Sequence, residues 1–504
     1  MTHLPILPLL IPLFTGALLA MLPRQALTLG RSVSLAAVLA QIPLAAWLVI
    51  RTQAGPLVYA LGNWPAPFGI VLVADRLAAI LLFTTAVLAA AALVYALRGD
   101  DTQGRGFHSL FQFQMLGVNG AFLTGDLFNL FVFFEILLIA SYALLLHGRT
   151  SERVRAGLHY VLINIAGSSF FLISLGALYA IAGTLNMADL SRRMAALPAT
   201  DAPLVAAAGS LLTVVFCLKA AAFPLYFWLP RAYSSAAAPV AAVFAVLTKV
   251  GLYAILRVNV LIFGPEAGAL SGLVFDWLWI AALLTIAAGA IGVLAADSLS
   301  RLIAYLVVVS AGTIAAGIAL GNREALAATL YYLVHSTWIA GALFLLSGEI
   351  SRLRGGDTAD RLVAGPRLPR PMLLGGLFLA AAVSAAGLPP LSGFFAKLFL
   401  LSAAPSGWAT LGLYGAVLGG SLPVIVALGR AGSALWWRHD AAQAPAAGCD
   451  AVRLAAAAAL LIAGVLLVVF AEPLWTSLEA AAAEVMDTQG YIRAVLPAVS
   501  GGST

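Results

Sequence analysis

Fourteen apolar runs, none shorter than 18 residues, recur along the chain and are parted by short clusters of Arg, Asp, Gly and Pro. They fall at 4–22, 33–50, 77–97, 107–125, 127–147, 156–182, 204–228, 239–262, 272–295, 301–320, 324–348, 371–402, 408–430 and 453–471. About 20 apolar residues in a helix are enough to cross the hydrocarbon of a bilayer. The pattern therefore predicts an all-α polytopic membrane protein of about 14 transmembrane helices. The first run carries no basic flank, only His3, and is expected to be an uncleaved helix and not a signal peptide. No stretch between runs is long enough for a soluble domain.

Two of the runs are interrupted. The seventh, in "VVFCLKAAAFPLYFWLP", holds Pro224, and the twelfth, in "SAAGLPPLSGFFAKLFLL", holds Gly387, Pro389, Pro390 and Gly393. Proline removes a helix hydrogen bond and disturbs the carbonyl four residues back. Freed backbone survives in a membrane only where it is buried in protein or lines a wet cavity, so both breaks mark expected ion pathways. They lie five spans apart, which fits five-helix units at 107–262 and 272–430. A three-helix segment at 1–106 precedes them, and a loop, last helix and tail at 431–504 follow.

Composition agrees with this picture, since 62% hydrophobic and 10% charged residues would leave a soluble protein of 504 residues short of polar surface. Charge adds orientation. The odd-numbered loops hold seventeen Arg, among them Arg149, Arg153 and Arg155 after the fifth span and Arg352, Arg354, Arg361, Arg367 and Arg370 after the eleventh; even loops and termini hold six. By the positive-inside rule both termini face outward from a cell inner membrane. The net charge of +6 is explained by topology and contact with the lipid bilayer, and the scattered arginines, without interleaved aromatics, give no case for nucleic acid.

The basic residues left over are Lys219, Lys249, Lys397 and Arg257, so every lysine lies inside a span. Arginine holds its proton at physiological pH, whereas a buried lysine can release one. Of the 21 acids, Glu135 alone sits deep in a span, about eight residues or roughly 12 Å along its helix. Lys249 lies about 15 Å along a helix that Pro239 can open. Intramembrane charges oppose insertion by roughly 2.5–3.5 kcal/mol each, about 10 kcal/mol for Glu135 and the three lysines. A structural ion pair between Glu135 and one lysine is the plain alternative, but one glutamate cannot neutralise three lysines. A proton relay accounts for the whole series. His335 suits such a relay because imidazole titrates near neutrality, or it can be hydrogen-bonded across helices for packing alone. Tyr160, Asn164 and Ser168 share one face of the sixth span, and Tyr331 and Ser336 flank His335; these are expected channel-lining groups or packing contacts.

Other chemistries lack their residues. Cys217 and Cys449 form no CxxC or disulfide pattern, and no metal-ligand cluster, dinucleotide fingerprint or phosphate loop is present, so neither metal nor cofactor is expected. The chain reads as a secondary transporter driven by an ion gradient, not as an enzyme.

Three ordered stretches carry a family likeness: "GDLFNLFVFFEILLIASYALL", "LKAAAFPLYFWLPRAYSSAAAPVAAVFAVLTKVGLYAILR" and "GLPPLSGFFAKLFLL". Together they resemble the proton-translocating antiporter-like subunits shared by respiratory complex I, membrane-bound hydrogenases and Mrp (Pha) multisubunit cation/proton antiporters, and within these the D-type subunit of the Mrp/Pha antiporters. The resemblance implies two inverted five-helix repeats, with broken helices 7 and 12. It also implies partners, namely a large A-type subunit and small membrane subunits, and exchange of protons for Na⁺ or K⁺. It places the family's glutamate on Glu135, its lysines on Lys219, Lys249 and Lys397, and its central histidine on His335. Relatives often carry a further lysine shortly after that histidine, where this chain has Ile339 and Ala340. A proton-pumping subunit of a redox complex and a scaffold with purely structural charges are the other readings.

Overall fold

The computed structural model describes residues 3–148, 150–438, 440, 445 and 447–496. Arg149, counted above among the loop charges, lies outside them. In chain order the elements are α1 (Leu7–Met21), α2 (Leu27–Arg51), β1 (Leu57–Ala60), β2 (Val71–Ala74), α3 (Arg76–Ala96), α4 (Phe107–Leu123), α5 (Leu127–Leu145), α6 (Ser151–Ala182) and α7 (Met187–Ala195). There follow α8 (Ala202–Ala220), α9 (Trp228–Ser235), α10 (Ala238–Leu261), α11 (Phe275–Ala295), α12 (Leu299–Ala319), α13 (Arg323–Arg354), α14 (Pro371–Ala386) and α15 (Ser392–Ser402). The chain closes with α16 (Trp408–Trp436), α17 (Ala451–Val469), α18 (Ala471–Met486) and α19 (Thr488–Val495).

Twelve helices among the described residues are long and apolar enough to span a membrane alone. The shorter α4 and the broken pair α14 and α15 complete the fourteen passages expected. Caps explain where several begin. Asp75, Asp126, Thr150, Ser298, Asn322 and Asp450 each accept a backbone N–H in the first turn of the helix that follows, satisfying donors that a helix start leaves free. Thr150 starts α6 five residues before the apolar run at 156, and α13 runs on to Arg354, because amphipathic ends continue a helix beyond its hydrophobic part.

At the centre stands α10, buried at every position from Pro239 to Leu261, with α13 beside it. Large apolar side chains such as Phe14 on α1, Trp47 on α2, Leu162 and Ile173 on α6 and Leu422 on α16 are exposed, as lipid-facing positions should be. The arginine-rich loops meet on one face: Arg98 reaches Asp450 at 2.7 Å, Arg453 reaches Asp100 at 2.8 Å, and Arg153 donates to Ser235 O at 3.0 Å. The opposite face carries the β1/β2 hairpin, α7, α18 and α19, none of which the apolar pattern foretold.

Both interrupted passages are true breaks. Ala221, at φ +57°, ends α8; its N–H bonds Leu218 O at 3.2 Å and that of Ala222 bonds Cys217 O at 2.9 Å. Pro224 therefore stands in a helix end, not a kink, and the helix resumes only at Trp228. Ala386 likewise ends α14, Gly387 (φ +80°) turns the chain, and Pro389 and Pro390 lie in the gap before α15.

Candidate proton-relay site

The first cluster forms where α5, α6 and α8 meet. Lys219 closes α8, with its side chain buried at 4% exposure. Its Nζ donates to Asn164 Oδ1 at 3.2 Å, Asn164 O at 3.3 Å and Ser168 Oγ at 3.3 Å. Ser168 in turn donates to Glu135 Oε1. No direct ion pair joins Glu135 to Lys219; the hydroxyl stands between them, and the glutamate acts on the lysine electrostatically. The break supplies the setting. Leu218 O, at the end of α8, accepts from Trp228 Nε1 at 3.0 Å as well as from Ala221 N–H, and Phe223 N–H donates to Thr285 Oγ1 on α11 at 2.8 Å. An indole and a threonine thus satisfy backbone that hydrocarbon could not.

Lys249 follows on α10, wholly buried, and donates to Ser310 Oγ of α12 at 2.8 Å. Two residues on, Gly251 lets α10 cross α8 at Lys219: a Cβ there would lie 2.7 Å from Ala220 N. His335, at the middle of α13, bonds Ser392 Oγ through Nδ1 at 2.8 Å and feels the charges of both Lys397 and Lys249. Lys397 on α15 donates to Ser421 Oγ and to Ala386 O, each at 2.7 Å. Here the carbonyl freed by the break is taken by the lysine itself.

Not every expected lining group joins this line. Asn164 and Ser168 do, but Tyr160 bonds Ser141 at 3.0 Å and stacks on Trp228, Tyr331 donates to Leu467 O on α17 at 3.2 Å, and Ser336 donates to Leu333 O of its own helix. Ser310, Ser384, Ser392 and Ser421 are not among the groups the sequence singles out. Ser384 and Ser392 flank the "GLPPL" break, which is a usable signal; Ser310 and Ser421 sit in ordinary Ala/Val/Gly surroundings and offer none. Arg257 stands apart from the relay, paired at 2.5 Å with buried Asp75, the cap of α3, and packed over Tyr253 and Tyr491. On the arginine-rich face a cavity of about 610 Å³, lined by Asp100, Arg153, Tyr233, Ser300, Asp360 and Arg453, opens beside the start of α10.

A helical bundle with two broken passages, a buried lysine beside the first and a half-buried one beside the second, defines a class of ion-translocating membrane subunit. The transmembrane family described as NADH:quinone oxidoreductase/Mrp antiporter matches residues 124–422, and the chain belongs to that family. Within it the likeness is to the D-type subunit of Mrp-type antiporters. The D-type subunit of the probable K⁺/H⁺ antiporter of Rhizobium meliloti is 48% identical over 423 residues, 79% of this chain and 78% of that protein. The D-type subunit of the Na⁺/H⁺ antiporter of Bacillus subtilis is 42% identical over 402 residues, 79% of this chain and 80% of that protein. A chain of the solved Mrp complex from Dietzia superposes with a TM-score of 0.88 at 28% identity, covering 98% of this chain and 100% of its own.

Proposed function

We propose that this chain is the proton-translocating subunit of a multisubunit Na⁺(K⁺)/H⁺ antiporter, passing protons along Glu135, Lys219, Lys249, His335 and Lys397 in exchange for monovalent cations leaving the cell. The observation that carries the reading is the bridge from Glu135 through Ser168 to Lys219, which couples an acid and a base without fusing them into a static ion pair. While Glu135 is ionised nearby, its charge holds the proton on Lys219; when the two part, that attraction weakens and the proton passes inward. Lys249 and His335 then carry it toward Lys397 and the second break. On this reading the units at 107–262 and 272–430 each hold one half of the path. The arginine-rich face is cytoplasmic, both termini lie outside the inner membrane, and an A-type subunit and small membrane subunits complete the complex.

The test is Na⁺- and K⁺-dependent proton movement in vesicles holding the whole complex. Glu135→Ala and Lys219→Ala should each abolish exchange, and wild-type exchange in both would sink the relay. Lys219→Arg should also be inactive, because it keeps the charge but not the labile proton. If it stays active, the lysine acts by charge alone.

The family description also embraces NADH:quinone oxidoreductase, which favours a second reading as the pumping subunit of a redox complex. Exchange that needs electron flow would select it. A scaffold role would instead make the alanine variants lose assembly along with transport.

A further inference from the structure

Each basic group of the relay has one serine hydroxyl on another helix: Ser168 for Lys219, Ser310 for Lys249, Ser392 for His335 and Ser421 for Lys397. These hydroxyls are not equivalent. A serine has one hydrogen to donate and two lone pairs. Ser310 and Ser421 donate theirs to carbonyls of their own helices, Val307 O at 2.8 Å and Val417 O at 2.6 Å, so each holds its lysine with no onward donor. Ser392 bonds no carbonyl among the described residues; its partners are His335 Nδ1 at 2.8 Å and Ser384 Oγ at 3.4 Å. Ser384 lies near the end of α14 and Ser392 opens α15, so the two hydroxyls cross the second break side by side. His335, Ser384 and Ser392 are all buried, at 3%, 3% and 1% exposure. Gly393 makes the approach feasible, since a Cβ there would collide with Ser384 O and lie 3.0 Å from His335 Nε2.

We infer that Ser392, with Ser384 behind it, is the proton-passing link between His335 and the second break. This rests on the relay proposed above and adds to it two residues that carry no charge. The step balances. The Nδ1–H bond of a protonated His335 breaks as an Oγ–H bond forms on Ser392. The hydrogen Ser392 already held moves to Ser384 Oγ, and the hydrogen of Ser384 leaves to a water molecule in the break, on the Lys397 side. Both hydroxyls end neutral, His335 ends neutral, and one proton has crossed; rotation of the two hydroxyls resets them.

The assay is cation-dependent proton movement by the full complex in everted vesicles, with Na⁺ and K⁺ as probes and assembly followed by co-purification. Ser392→Ala should assemble and lose about tenfold or more of the exchange rate, while Ser392→Thr, which keeps a hydroxyl, should retain most of it. Near-normal exchange in Ser392→Ala overturns the link, as does equal loss in the Ala and Thr variants with assembly intact. If Ser392→Ala does not assemble, Ser384→Ala carries the same test: a clear loss supports the link and an unchanged rate overturns it. An active Lys219→Ala would remove the relay itself, whereas an inactive Lys219→Ala beside an active Ser392→Ala removes only the serines.

Discussion

Ser168 has a single hydrogen to give, and it gives it to Glu135 while accepting one from Lys219. That direction matters, because a hydroxyl so placed can conduct a proton between the two or hold them in register, and alanine does neither. Ser168→Ala should therefore cut cation-dependent proton movement by about tenfold or more, with Ser168→Thr close to wild type. Vesicle assays of the two variants check this, and equal rates in Ala and wild type would leave Ser168 a packing residue. At this scale the charged half of the site was legible in the sequence: three lysines and one glutamate stand out in hydrocarbon because of what they cost there. Asn164 and Ser168 were readable from their shared helix face, but the other partners were not, because serine is cheap in a membrane helix and common for packing, and nothing near Ser310 or Ser421 sets them apart. Asp75 was hidden for another reason. It lies in a loop before α3, far in sequence from Arg257, and only the fold brings the pair to 2.5 Å.

Elements extend the same logic to the C-terminus, where the apolar pattern ended at 471 and the chain goes on as α18 and α19. Helix α18 is not one of the membrane passages and lays Glu484 against the start of α3, 3.3 Å from Arg76 Nε. Burial pushes the Glu484 carboxyl up to about 7; Asp75 pushes the same way, and the charges of Arg76 and Arg257 and the Arg76 backbone N–H pull against them without prevailing. The docked helix therefore binds the proton more tightly than a free one would, from an ordinary value near 4.5. The sign follows: this contribution to docking is whole below that ordinary value and is lost as pH rises through 7. Hydrogen exchange, corrected for its intrinsic pH dependence, should find the α18 amides less protected at pH 8 than at pH 6. Glu484→Gln should flatten the difference, and an unaltered pH response in that variant would mean that another group controls the helix. Fourteen passages were readable because each has the length the bilayer imposes. A helix with a mixed face has no such length rule, and its docking depends on groups from two other segments, Asp75 and Arg76 at the start of α3 and Arg257 on α10.

For the whole molecule the question is which way it sits, and here the ion pairs could mislead. Many arginines on the arginine-rich face are matched by acids, Arg453 with Asp100, Arg352 with Glu349 and Arg98 with Asp450, so the face is less positive than its arginine count implies. Orientation is not set by net charge, however. Insertion counts Lys and Arg near the ends of spans, and Asp and Glu contribute little. Pairing on the folded face thus leaves the topological argument intact: seventeen arginines in odd loops against six in even loops and termini argue that this face is the cytoplasmic one. Two exposed turns report on it directly, Ala54 before the β1/β2 hairpin and Thr102 between α3 and α4. With Cys217 and Cys449 replaced by alanine, Ala54→Cys should react with a membrane-impermeant maleimide in intact cells. Thr102→Cys should react only after the membrane is opened. The reverse pattern would turn the protein over, and with it the direction assigned to the path.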